Sequence, residues 1–157
     1  RLDELFNTID EMSGKVIIWA TWVYDLARIV EKLQERYGRD SAEAFYGATP
    51  QDKRQEIVKN FQKKEHPLRF FVGNPKTGGY GLTLTAATNG FFWNNSYDLE
   101  TRIQSEDRAH RIGQDNHVLY VDLISPNTVD EKILKALKSK ISIAQEVLGE
   151  EGRDWLI

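Results

Sequence analysis

Cysteine is absent from the 157 residues of this chain, which rules out a disulfide framework and a thiolate zinc site together. Histidine is scarce: His66, His110 and His117 are scattered, and no two of them stand at helical spacing. No structural metal is therefore expected. No apolar run approaches the ~18 residues that cross a bilayer, and the opening RLDELFNTID is acidic and amphipathic, unlike a secretory leader. The chain thus reads as an intracellular piece of a longer protein, cytoplasmic or, in a eukaryote, nuclear, with no membrane partner. An excess of positive charge is missing as well. A formal net charge of -3 excludes a bulk polyanion binder and leaves only a local patch for contact with nucleic acid. The phosphate-binding P-loop is the last absence. Gly73 and Gly78 have its outer spacing, but Gly79 and Tyr80 stand where lysine and Ser/Thr are required.

What is present is a β/α alternation. At 40% hydrophobic content the chain can bury one core, and its length predicts one domain. Five short β-rich runs are Lys15–Ala20, Ala42–Tyr46, Arg69–Gly73, Gly90–Trp93 and His117–Ile124. Three of them are apolar nearly throughout, as strands covered on both faces should be. Between them, Val23, Leu26, Ala27, Val30 and Leu33 form a helical stripe. Thr49-Pro50-Gln51-Asp52 supplies an N-cap, a proline at the first helical position and an acid, opening a helix that buries Ile57, Val58 and Phe61. Thr128 with Glu131 reads as a capping box before a last helix carrying Val129, Ile133, Leu137, Ile141 and Ala144. The pattern implies a three-layer α/β domain with a mostly parallel sheet of five or more strands, and a ligand edge at the strands' carboxyl ends. Residues 1–14 read as a lead-in helix, 15–142 as the domain and 143–157 as a tail.

Two segments stand apart from this frame. In QSEDRAHRIGQ, Gln104, Arg108 and Arg111 fall at i, i+4 and i+7, a helical stripe of guanidinium and amide with nothing apolar to bury. Such a face should meet an anion, and in this domain alone it should lie exposed. The bland reading is ion pairing with Glu100, Glu106 or Asp107. The other segment is the glycine-rich stretch Gly73 to Ala87, which follows a strand, precedes a small-residue helix and could bring backbone amides to a phosphate at that helix's N-terminus, or could be only a packing turn.

Together, KTGGYGLTLTAA and RIQSEDRAHRIGQ resemble motifs V and VI of the Swi/Snf-type DNA-dependent ATPases of helicase superfamily two. KVIIWATWVYDL resembles the strand that opens the family's second RecA-like lobe, and FYGATPQDKRQEIVKNF resembles its G-[ST]-x(n)-R-x(n)-F segment. The resemblance covers roughly Lys15 to Leu137. It implies the C-terminal RecA-like lobe of a DNA translocase, of bacterial or phage type, in which residues 1–14 lead in from a first lobe. It further implies that Arg108 and Arg111 are the arginine fingers, and that Gln104, Gly79, Gly81 and Gln114 line the nucleotide. Lys76, Thr77, Gly78, Trp22 and Arg54 would face duplex DNA. ATP and Mg2+ would be held mainly by the first lobe, since no P-loop and no D-E-x-H occur here.

The sequence also departs from that family. Asn74-Pro75 replaces Ser-Thr before the lysine of motif V, Thr83 stands where asparagine is common, and Asn94-Asn95-Ser96-Tyr97-Asp98-Leu99 replaces D-x-x-W-N-P. Trp22 and Tyr24 also admit aromatic core packing, Arg54 a solvated face, and Lys132, Lys135 and Lys138 only a solvated stripe. Two other classes share the βα pattern. A receiver or flavodoxin-like module needs acids after its first strand, where Ala20-Thr21-Trp22 stands. A non-hydrolysing nucleic-acid clamp is the alternative that remains open.

Overall fold

The computed structural model describes residues 1–77, 82–109 and 118–148, apart from the side chains of 144, 145 and 148. Five strands form where the apolar runs lie: β1 (Lys15–Trp19), β2 (Ala42–Phe45), β3 (Phe70–Gly73), β4 (Ala87–Phe92) and β5 (Leu119–Asp122). All pairings are parallel and the order is β2-β3-β1-β4-β5. Each parallel step needs a crossover, and helices supply three of the four: α2 (Val23–Tyr37), α3 (Gln51–Gln62) and α4 (Leu99–Asp107), with α1 (Leu2–Asp10) leading in and α5 (Val129–Leu148) following. The β3–β4 connection shows no helix among its described residues, and Ala87, expected in a small-residue helix, opens β4 instead.

Strand pleating divides β1 between two cores. Val16, Ile18 and Ala20 point into one cluster with Phe70, Val72 and Phe91, which α1 covers through Leu5 and Ile9 and α2 through Leu26, Ile29 and Leu33. Ile17 and Trp19 point into the other, with Phe71, Phe92, and Ile57 and Phe61 of α3. Phe71 is the hub of that side, with the rings of Phe45, Phe61 and Trp19 at 5.1, 5.7 and 5.9 Å. Burying a ring of this size is worth about 1.5–3 kcal/mol, so this layer holds the sheet strongly. α1 is part of the core: Leu5 and Ile9 have no exposed surface.

Several local expectations shift. α2 buries Leu26, Ile29 and Leu33, whereas Val23 is 53% exposed and Ala27 faces solvent. The helix starts at the sheet's edge, so its first turn projects past the strands. α3 begins at Gln51 with Pro50 as the cap residue. Thr49 is no cap: its hydroxyl accepts from the Tyr46 amide at 3.1 Å and donates to the Ala44 carbonyl at 3.4 Å, closing the preceding turn. At α5, Thr128 accepts from the Asp130 amide, but the side chain that reaches back is Asp130, to the Ser125 amide at 3.0 Å, and not Glu131. Leu137 is buried on α5 while Val129 is 55% exposed. No described helix is long and apolar enough to cross a membrane.

Candidate functional site

The carboxyl ends of β1, β3, β4 and β5 release four loops at one edge, and their side chains tie the loops together. The Asn94 carboxamide after β4 accepts the Thr21 amide after β1 at 2.9 Å, and the Asn74 carboxamide after β3 donates to the Thr21 carbonyl at 2.8 Å. Asn74 also accepts the Lys76 amide at 2.9 Å, and its carbonyl accepts the Thr77 amide at 3.1 Å. The asparagines that depart from the family pattern are therefore what shape this edge. A cleft of about 60 Å³ opens among these loops, lined by Asn74, Lys76, Asn94, Asp98 and Arg102 among others.

α4 rises from this edge. Asp98 caps it by accepting the Thr101 amide at 3.2 Å and the Thr101 hydroxyl at 2.7 Å. The Thr101 hydrogen bonds hold the Asp98 carboxyl below its ordinary value, with the charge of Lys76 assisting. Arg102 lies over the Phe92 ring at 3.7 Å and makes a fork to Asp122 at the end of β5, Nη1 to Oδ1 at 2.5 Å and Nη2 to Oδ2 at 3.2 Å. Its Nε donates to Glu106 at 3.0 Å and its Nη1 to Asn95 at 2.9 Å. Burial alone would lower the Arg102 guanidinium, but Asp122 and Glu106 outweigh it and raise it above the ordinary arginine value.

Two residues of the polar stripe, Gln104 and Arg108, lie among the described residues. Gln104 lies on α4 and donates to Glu100 at 3.2 Å. The helix ends at Asp107, and Arg108 is its C-cap residue in αR conformation. Arg108 is only 8% exposed, so the expectation of an exposed arginine is overturned. The cause is local: its carbonyl accepts the Leu84 amide at 2.8 Å, drawing the end of α4 onto the segment that follows the glycine-rich loop. Arg111, Gln114, Gly78, Gly79, Gly81 and His110 lie outside the described residues.

The remaining candidates separate. Trp22 and Tyr24 are 65% and 75% exposed, which excludes core packing for both, because the chain leaves β1 above the sheet before α2 turns down. Lys76 is exposed and Thr77 half-buried in the turn that Asn74 organises. Arg54 is half-buried and not merely solvated. It donates to the carbonyls of Thr49 at 2.8 Å, Tyr46 at 3.1 Å and Gly47 at 2.9 Å and lies 5.5 Å from the Phe45 ring, so it organises the β2–α3 loop. Glu106 and Asp122 both pair with Arg102, a residue that neither motif brings forward. Its signals were available: the i, i+4 pair with Glu106 and a lone acid, Asp122, inside an apolar strand. Among the described residues no cluster of His, Asp and Glu could hold a metal ion.

A parallel sheet in the order β2-β3-β1-β4-β5, with helices on both faces and polar loops converging on its carboxyl edge, is a three-layer α/β domain, RecA-like by its structural neighbour. The comparisons narrow this class. The family described as "Helicase conserved C-terminal domain" matches residues 1–113. This chain belongs to that family, as the second lobe of Swi/Snf-type superfamily-two ATPases. Its relatives include the ATP-dependent helicase fft2 of Schizosaccharomyces pombe, 31% identical over 98% of this chain and 12% of that protein. The putative ATP-dependent helicase/translocase YwqA of Bacillus subtilis is 28% identical over 99% of this chain and 16% of its own length. The chromatin-remodeling ATPase INO80 of Homo sapiens is 28% identical over 94% of this chain and 9% of its length. The chain thus spans less than a fifth of each of these relatives. The crystal structure of the C-terminal part of the Fun30 ATPase domain superposes with a TM-score of 0.75 at 28% identity, covering 99% of this chain and 49% of that one.

Proposed function

We propose that this domain is the second motor lobe of an ATP-dependent DNA translocase, completing the nucleotide site of a first lobe and contributing half of a duplex-DNA groove. The observation that carries the reading is the Leu84 amide to Arg108 carbonyl bond, 2.8 Å, which couples the end of the motif V segment, just before β4, to the far end of the motif VI helix. Arg108 and Arg111 act as the fingers. A guanidinium stays charged and can grip phosphate oxygens in bidentate fashion, and a finger supplied from a second domain is worth ~10³ to 10⁵ in rate. Arg108 is only 8% exposed, so its contact with phosphate requires it to leave a buried position when the lobes close. Such a movement links lobe rotation to turnover.

Gln104, Gly79, Gly81 and Gln114 line the nucleotide, and Lys76, Thr77, Gly78 and the exposed Trp22 face the DNA, with Arg54 holding the loop beside them. The donors here suit phosphate oxygens and not a divalent ion, so Mg2+ and the triphosphate are held mainly by acids and amides of the first lobe. When bound, that ion neutralises charge on the transferring phosphoryl group. The test is DNA-stimulated ATP hydrolysis by the full-length protein. Arg108→Ala and Arg111→Ala should each abolish it with ATP binding still measurable, and Arg108→Lys, which keeps charge and stem, should fail to restore it. Retained turnover in the alanine variants would overturn the assignment. Salt-sensitive duplex binding indifferent to nucleotide would favour a non-hydrolysing clamp.

A further inference from the structure

Helices on a parallel sheet are usually set by apolar contact, but α4 offers little of it: its buried residues are Ile103 and Ser105. What fixes its rotation and register is polar. Arg102 sits at the centre of that seam with its side chain 10% exposed. Its guanidinium places one face over Phe92 of β4 and directs four donor contacts at three acceptor side chains, Asp122 at the end of β5, Asn95 after β4 and Glu106 one turn along α4. Asn95 itself donates to Asp122 Oδ1 at 2.9 Å, closing a ring of contacts around one carboxylate. The Tyr120 hydroxyl, also on β5, donates to the Glu106 carbonyl at 2.5 Å.

We propose that Arg102 is a positioning residue that locks α4 to the ends of β4 and β5 and so sets where Gln104 and Arg108 meet the phosphate. The lock rests on the motor-lobe reading for its consequence, but its geometry stands independently of it. Directional bonds constrain angle as well as distance, which apolar packing does less well. A planar fork is required: lysine has one point charge and could satisfy Asp122 but neither Glu106 and Asn95 together nor the stacking on Phe92. Arg102 acts through Asp122, Asn95, Glu106 and Phe92, so its loss should misplace the finger without removing it. An ångström of misplacement is enough to cost ~10²-fold in rate.

The experiment uses the full-length protein with Arg102→Lys, Asp122→Asn and the double variant, measuring kcat and KM for DNA-stimulated ATP hydrolysis beside thermal unfolding. Each single variant should lower kcat by ten-fold or more with KM for ATP within two-fold. The double variant should be scarcely worse than either single one, because both break the same fork. A merely structural role predicts something different: activity falling in step with the unfolding temperature, recovered on cooling, with the two losses multiplying. That result, or unchanged kcat in Arg102→Lys, overturns the proposal. If the unsubstituted protein hydrolyses no ATP, the motor-lobe reading fails instead. The lock is then judged by amide exchange across residues 99–107, where Arg102→Lys should accelerate exchange ten-fold or more, and unchanged protection overturns it.

Discussion

Gly90 and Tyr120 face each other across β4 and β5 in register, and the pair shows why a glycine interrupts an otherwise apolar strand. A Cβ on residue 90 would stand 2.5 Å from Cε1 and 2.6 Å from Cδ1 of the Tyr120 ring. That ring cannot swing aside freely, because its hydroxyl is tied to the Glu106 carbonyl. Gly90→Ala should therefore destabilise the domain by about 1–3 kcal/mol, the usual cost of overpacking, seen as a lower urea midpoint with unchanged slope. A neutral midpoint would show that the ring relaxes. Residue identities of this kind are hard to read from sequence. Gly90 looks like a turn signal at the start of a strand, and Trp22 and Tyr24 look like core, because composition says nothing about which side of a strand's end the chain leaves by. Arg108 stands out in the sequence as part of a polar stripe, but its burial does not. That depends on a backbone bond from Leu84, 24 positions earlier.

At the scale of elements, α4 depends on a cap that titrates. Asp98 accepts two bonds from Thr101, so its folded-state pKa lies below its unfolded value. The sign follows: its contribution to stability is fully present above the unfolded carboxylate value and is lost as pH falls through the ordinary carboxylate range and below it. Asparagine caps a helix about as well as aspartate but does not titrate there. Asp98→Asn should leave amide protection of α4 at neutral pH nearly unchanged and flatten its loss in acid; an unaltered acid limb would remove Asp98 from that role. The strands were the most legible elements, since near-continuous apolar runs in a β/α alternation fit a covered parallel sheet, and all five formed within three residues of their expected bounds. Boundaries set by side-chain bonds were not. The end of α4 at Asp107, the use of Thr49 in the turn before α3 and the reach of Asp130 back to the Ser125 amide involve local hydrogen bonds that compete with simple capping patterns.

For the whole molecule, what matters is that α4 carries Gln104 and leads to Arg108, while the sequence holds no P-loop. The chain alone should turn over no ATP above background even with saturating duplex DNA, and supplying a first lobe in trans or in cis should restore turnover. Hydrolysis by the chain alone would place a phosphate cradle within these 157 residues. With a net charge of -3, any contact with a polyanion must come from a local patch and not from the surface at large. α1 gives this arrangement a mechanical character. Leu5 and Ile9 are sunk in the same cluster as β1, and Arg1 donates to the Trp93 carbonyl at 3.1 Å and pairs with Asp130. The helix is thus a bracket bolted to the body, and not a tether. A load applied at Arg1 is delivered without slack to the end of β4 and the start of α5, beside the loops that grip α4.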